Sequence, residues 1–237
     1  VLTRDSIRDG TIRRMIEAQA GSDPVRLLTD DEREASIRRT LACRPDGGDV
    51  WVFAYGSLIW NPAIHVRDRI DARLVGWHRR YCLWSTLGRG TPDCPGLMLG
   101  LEKGGSCRGA AYRIAAADVP TELDILWRRE MVSGSYVPRW TRARTPSGEV
   151  SAIAFTINRD HPRYAGLLDD ERVAAVVARA AGPLGTCREY LDNTVEHLRA
   201  MGIRDGRLER ISRRVEELAA AAAVERAADE AAGVAGG

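Results

Sequence analysis

The stretch Val52-Phe-Ala-Tyr55-Gly56-Ser57-Leu-Ile-Trp60 is apolar or aromatic at seven of its nine positions, yet a glycine and a serine break it in the middle. Residues 50–55 read as a buried strand, and the chain returns at once to Leu58-Ile59-Trp60, so the interruption is a bend between two apolar anchors. Two readings of that bend are open. One is a plain buried turn. In the other the bend itself works: glycine permits left-handed backbone and close approach, and successive N–H groups beside a serine hydroxyl form a nest for a carboxylate or phosphate. With one glycine and no following lysine, the stretch matches neither a Walker A loop nor GxGxxG, and a nucleotide site gains no support.

C-terminal to the bend, short strands dominate. They are expected at 50–55, 69–75, 79–85, 96–102, 107–114, 136–145 and 149–157, punctuated by Gly, Pro, Asp and Ser. Thr145-Pro-Ser-Gly-Glu149 reads as the hairpin turn between the last two. One helix interrupts them, opening near Pro120, where a missing N–H costs nothing, and ending near Met131. Beyond Leu167 the periodicity is helical, over 169–181, 187–201 and 206–231, followed by a flexible tail at 232–237.

N-terminal to the bend, residues 1–49 read as a charged helical extension. A helix over 6–20 stops at Gly21, and a second opens at Thr29, where Glu32 three residues on completes a capping box, and runs through Leu41. A turn-rich linker at 44–49 leads into the main domain, 50–231. Strands followed by helices, with one helix among the strands, predict an α+β fold: a small mixed or closed β-barrel of about six or seven strands with surrounding helices.

The totals narrow the function. At 237 residues, with 44% hydrophobic and 29% charged content, the chain is an ordinary globular protein, long enough for one substantial core or for two small domains. A net charge of +2, with acids interspersed among the arginines, gives no basic patch, so no nucleic-acid partner is expected. Trp77-His78-Arg79-Arg80-Tyr81 has the composition of a base-stacking platform, but a twisted, half-exposed strand accounts for it equally. Five cysteines without C-x-x-C spacing fit reduced thiols, and the four histidines form no ligand cluster, so zinc has little support. The cysteines have no histidine at a diagnostic spacing, which leaves a thiol nucleophile unsupported. No apolar run is long enough to span a membrane, and a cytoplasmic protein is expected.

One carboxylate stands out. On the helix after Pro120, Leu123, Leu126, Trp127 and Met131 define an apolar face, and Glu130 lies seven, four and three residues beyond the first three of them. The 3.6-residue period puts it on that face. A carboxylate there must be paired or must line a cavity, because burying it alone is expensive. One reading makes it a general acid/base. The other makes it an ion-pair partner of Arg128, Arg129 or Arg139, or a helix end reaching solvent. Tyr136, just past Ser133-Gly134-Ser135, is open to two readings as well, as a substrate contact or as a cap on the core. Asp169, Asp170 and Glu171 read as favourable first-turn charges.

The bend and the glutamate also carry a family resemblance. Trp51-Val-Phe-Ala-Tyr55-Gly56-Ser57-Leu58-Ile59-Trp60 resembles the signature of the ChaC-like gamma-glutamylcyclotransferases, and the likeness runs on through Val75-Gly76-Trp77, Arg79-Arg80, Pro95-Gly96-Leu97, Gly109 to Arg113, Trp127-Arg-Arg-Glu130, Tyr136, Asn158, Tyr164, Ala181 to Gly185 and Glu189-Tyr190-Leu191. It covers roughly residues 50 to 215. The resemblance implies a lyase that cleaves a γ-glutamyl amide without water, with no metal or cofactor. In the glutathione-specific branch the substrate's own α-amine attacks its γ-carbonyl, giving 5-oxoproline and Cys-Gly. It further implies that Tyr55, Gly56, Ser57 and Leu58 hold the γ-glutamyl moiety by backbone N–H groups, that Glu130 is the acid/base, and that Tyr136 touches substrate. The spacer from Glu130 to Tyr136 is longer than the Arg-Glu-Lys-Gly-Gly-Tyr pattern of some relatives, and the helical extension has no counterpart in the shortest ones. A cyclotransferase for other γ-glutamyl amides or amines, and a non-catalytic regulatory or binding protein of cation transport, stay open as alternatives. So does the oligomeric state.

Overall fold

The computed structural model describes residues 2–20, 25–45 and 47–235. Gly21, read as the stop of the first helix, and the last two glycines of the tail lie outside the described residues. Strands β1 (Val50–Ala54), β2 (Asp68–Ser85), β3 (Gly96–Ile114), β4 (Tyr136–Thr145) and β5 (Gly148–Ile157) close into a barrel in the order β1-β3-β2-β4-β5. Closure comes from β1 running parallel to β5, at Trp51↔Ala152 and Val52↔Ile153. The remaining neighbours in that order are antiparallel.

The barrel thus has five strands, which corrects the expectation of six or seven. The cause is local. The expected strands 69–75 and 79–85 are one strand, β2, and 96–102 and 107–114 are one strand, β3. Between the pairs Val75↔Ser106 and Trp77↔Lys103, Gly76 on β2 faces two residues, Gly104 and Gly105, on β3. All three glycines have positive φ, at 82°, 104° and 65°. This is a bulge, which bends a ribbon and re-aims it without ending the pairing. In a sequence, such glycines look the same as turn glycines.

Seven helices surround the barrel among the described residues. α4 (Val119–Glu130) lies between β3 and β4, and α5 (Asp170–Arg179), α6 (Cys187–Ala200) and α7 (Gly206–Ala235) follow the barrel. A two-residue ribbon, β6 (Ala181–Gly182) with β7 (Gly185–Thr186), links α5 to α6. α7 continues past residue 231 to Ala235, consistent with its alanine-rich sequence. At the N-terminus the expected helix over 6–20 is two, α1 (Arg4–Arg8) and α2 (Thr11–Ala20), broken at Gly10 with φ of 78°. α3 (Asp30–Ala42) opens on the expected capping box: Glu32 N–H donates to Thr29 Oγ1 at 3.2 Å, and Thr29 N–H donates to Glu32 Oε2 at 2.8 Å.

The N-terminal helices dock on the barrel and α4. Trp127 is fully buried, meets Phe155 edge-on at 5.0 Å, and donates its indole N–H to Ser36 Oγ on α3 at 3.0 Å. An aromatic pair of this kind adds roughly 1 kcal/mol to the area it buries. Trp140 on β4 donates to Thr40 O at 2.7 Å. The aromatic and arginine run at 77–81 is built into the frame. Tyr81 is buried, and the buried Arg79 donates to Tyr55 O at 2.7 Å and to Arg108 O and pairs with Asp205 at 3.0 Å. Among the described residues no helix is long and apolar enough to cross a membrane.

Candidate active site

β1 delivers the chain to the bend inside the barrel frame. Tyr55 is buried and Gly56 opens a 3-10 turn over Ser57–Ile59, closed by Ile59 N–H donating to Gly56 O at 2.9 Å and Asn61 N–H to Ser57 O at 2.8 Å. The start of such a turn leaves its first N–H groups without partners inside it. Gly56 has a φ of −137°, so a left-handed backbone is not what calls for glycine here. Close approach is: a Cβ at residue 56 would stand 2.9 Å from the Tyr190 hydroxyl.

Glu130 is the last residue of α4, on the helix face that buries Leu123, Leu126 and Trp127. Its carboxylate is 13% exposed and accepts from Arg129 Nε at 2.8 Å. Of the three arginines named as possible partners, Arg129 is the one in contact, and the carboxylate lines a cavity as well. Both expectations for a glutamate on that face are therefore met together. The Arg129 guanidinium is 2% exposed and reaches further, donating to Asn61 O, to Pro62 O at 3.1 Å and to Ser57 Oγ at 3.2 Å. One buried side chain thus fixes the glutamate against the bend.

The cavity has a volume of about 180 Å³. Tyr55, Gly56, Ser57, Leu58, Glu130 and Tyr136 all line it, so the residues singled out in the sequence converge on one site. Tyr55 donates its hydroxyl to Phe155 O at 2.8 Å, and Tyr136 donates to Leu99 O at 2.8 Å. Burial, reinforced by the neighbouring tyrosines and the Glu130 charge, pushes both phenols well above the ordinary tyrosine range. They stay neutral O–H groups at working pH and cannot serve as bases. Glu130 is the carboxylate lining the cavity, and it has the chemistry to take and return a proton.

Arg129 and Tyr190 also line the cavity, and neither was read as a site residue in the sequence. Arg129 was legible only as one of three candidate partners, because three nearby arginines are equivalent until their directions are known. Tyr190, on α6, lines the same cavity from sixty residues away, its ring edge-on to Trp60 at 6.0 Å and to Tyr81 at 6.4 Å. Burial and then the Glu130 charge push its phenol up. Its only sequence signal was its place in the Glu189-Tyr190-Leu191 string. No cysteine is among the described lining residues. Burial pushes the Cys82 thiol up to about 12 and raises Cys107 and Cys187. Among the described residues no cluster of His, Cys, Asp and Glu is placed to hold a metal ion.

Residues 50–218, which hold the barrel, the bend, Glu130 and Tyr190, match the family model described as ChaC-like protein. The chain belongs to the ChaC-like family. This ChaC-like chain is 44% identical over 180 residues to a glutathione-specific gamma-glutamylcyclotransferase of Escherichia coli, a match spanning 76% of this chain and 78% of that protein. It is 30% identical over 166 residues to gamma-glutamylcyclotransferase 2-3 of Arabidopsis thaliana, spanning 66% of this chain and 83% of that one. In three dimensions it matches the crystal structure of a yeast γ-glutamyl cyclotransferase specific to glutathione, with a TM-score of 0.67, 22% identity, and coverage of 72% of this chain and 97% of that one. At that identity the match speaks for the shared fold.

Proposed function

We propose that this ChaC-like enzyme is a glutathione-specific gamma-glutamylcyclotransferase, converting glutathione to 5-oxoproline and Cys-Gly. The observation that carries the reading is a single cavity lined by both the Gly56-Ser57 turn and the Glu130 carboxylate. The E. coli relative, 44% identical over most of both chains, supports the substrate.

The chemistry follows from those parts. The N–H groups of Ser57 and Leu58 hold the α-carboxylate of the γ-glutamyl moiety, as the start of a turn favours an anion. The α-ammonium, with a pKa of about 8, must lose a proton before it can attack, and Glu130 takes it. The amine nitrogen then bonds to the γ-carbonyl carbon, closing the five-membered lactam. The bond from that carbon to the cysteinyl nitrogen breaks, and the proton on Glu130 passes to this leaving nitrogen. The ring nitrogen still carries a second proton, which returns through Glu130 to the released amine, so that Cys-Gly leaves as an ammonium; protons and electron pairs then balance, and water is not consumed. Because attack is intramolecular, holding the amine against the carbonyl removes much of the entropic barrier. Tyr55 and Tyr136, kept as neutral phenols, shape the γ-glutamyl end. Arg129 fixes Glu130 relative to the turn.

Incubation with glutathione is expected to release 5-oxoproline and Cys-Gly in equal amounts. Glu130→Gln keeps the shape and removes the base, so kcat is expected to fall by about 10² to 10⁴ with a small change in KM. Full turnover in Glu130→Gln would reject this mechanism.

A further inference from the structure

One wall of the cavity comes from outside the barrel domain. Leu2, Ile12 and Ile16 line it beside Gly56, Ser57 and Glu130, yet they precede the residues 50–218 that match the family. Ile12 and Ile16 are 8% and 6% exposed. Four residues apart on α2, they share one helix face.

This wall is fixed at several points. Arg4 forks onto Glu122 at 2.6 and 2.7 Å. Asn61 Nδ2 donates to Leu2 O at 2.7 Å, and Leu28 N–H donates to Val132 O at 2.9 Å. Arg13 on α2 donates to the Leu28 carbonyl at 2.9 Å. Two of these anchors belong to the catalytic frame. Asn61 gives its carbonyl to Arg129, and Val132 lies two residues beyond Glu130 and lines the same cavity. The extension is held in register with the glutamate.

The chemistry of the wall is aliphatic. In glutathione the γ-glutamyl part is charged at its ammonium and carboxylate, groups answered by Glu130 and the turn. The leaving residue carries one weakly polar, polarizable group next to the scissile amide, its CH₂–SH, and such sulfur packs favourably against apolar carbon. Building on the glutathione reading, we infer that the N-terminal segment is a specificity wall: Leu2, Ile12 and Ile16 receive the thiol-bearing side chain of the leaving residue and select glutathione over γ-glutamyl peptides that lack it.

The test compares glutathione with γ-glutamylglycylglycine, which differs from it by the CH₂–SH alone. The unmodified protein prefers glutathione by about tenfold or more, the discrimination an apolar pocket gives for a group of this size. In Ile12→Ala/Ile16→Ala the ratio of kcat/KM for glutathione over γ-glutamylglycylglycine falls about tenfold, mainly through KM for glutathione. Because both isoleucines are buried, Leu2→Ala serves as a second variant. Its anchor is the backbone carbonyl, so truncation leaves that hydrogen bond in place, and the ratio falls about threefold. A ratio unchanged in Leu2→Ala and in the double variant overturns the inference, as does an unmodified protein that treats both donors alike. An unmodified protein that turns over neither donor overturns the cyclotransferase reading beneath it, a result separable from loss of selectivity alone.

Discussion

Arg129 and Glu130 are adjacent in sequence, and their side chains meet at 2.8 Å across the end of α4, with the guanidinium 2% exposed. Neighbouring residues on a helix ordinarily point apart. Here the helix stops at Glu130, and Arg129 turns toward the bend, where Asn61 and Pro62 accept from its Nη1 and Ser57 from its Nη2. The glutamate and the turn that faces it are thereby referenced to one buried group.

Removing that group should cost both stability and rate. Breaking a buried pair by deleting one partner costs about 3 kcal/mol or more, so Arg129→Met should lower urea-unfolding stability by that order. Its kcat for glutathione should fall at least about tenfold, because Glu130 loses its fixed position. Arg129→Lys keeps the charge and loses the fork, and should fall between. Wild-type kcat in folded Arg129→Met would show that Glu130 is positioned by something else.

Gly56 is required by the Tyr190 hydroxyl, 2.9 Å from where a Cβ would stand. Gly56→Ala should destabilise by about 1–3 kcal/mol as an overpacked site and lower kcat/KM. Tyr190→Phe takes the oxygen away, leaving Leu99 as the nearest neighbour at 3.9 Å. Adding it to Gly56→Ala should recover much of the loss, giving a clear coupling in a double-mutant cycle. Additive losses would mean the contact is not what demands glycine.

The anchor of the N-terminal segment should be acid-sensitive. Burial by itself would raise the Glu122 carboxyl, but the Arg4 guanidinium, with the His65 N–H, overcomes it and holds the group below its usual range. A carboxyl depressed on folding contributes stability above its unfolded pKa of about 4.3 and loses it as pH falls through the folded value. The Tm of the unmodified protein should therefore fall more steeply below about pH 4.3 than that of Glu122→Gln, which lacks the contribution throughout. Parallel pH curves would remove Glu122 as the titrating anchor.

Thiol labelling should follow burial. Cys43 is exposed and Cys94 half-buried, while Cys82, Cys107 and Cys187 are buried and hard to ionise. At pH 8 an alkylating reagent should modify Cys43 quickly and Cys94 slowly, and reach the other three only on unfolding. Full modification of Cys43 should leave glutathione turnover unchanged. Rapid labelling of a buried cysteine in the folded protein would contradict the packing.

How much was legible in the sequence depended on the range over which each signal acts. The Thr29–Glu32 capping box, the helix opening at Pro120 and the hairpin at 145–149 are local, set by backbone groups within a few residues, and each lies where the pattern put it. Glu130 on an apolar helix face was legible for the same reason, since periodicity is a local property. The strand count was not. Gly76, Gly104 and Gly105 turn a ribbon or bulge it depending on what pairs across from them, and that partner is some thirty residues away.

The bend in Val52 to Trp60 divides the same way. Sequence by itself determined that a strand ends there, that apolar residues anchor both sides, and that the string belongs to a family pattern. Only the tertiary structure decided which atom makes Gly56 a glycine, which of three arginines holds Glu130, and that Leu2, Ile12 and Ile16 wall the same cavity. Those outcomes are set by packing between elements far apart in the chain, where side-chain direction and distance matter and residue spacing carries no information.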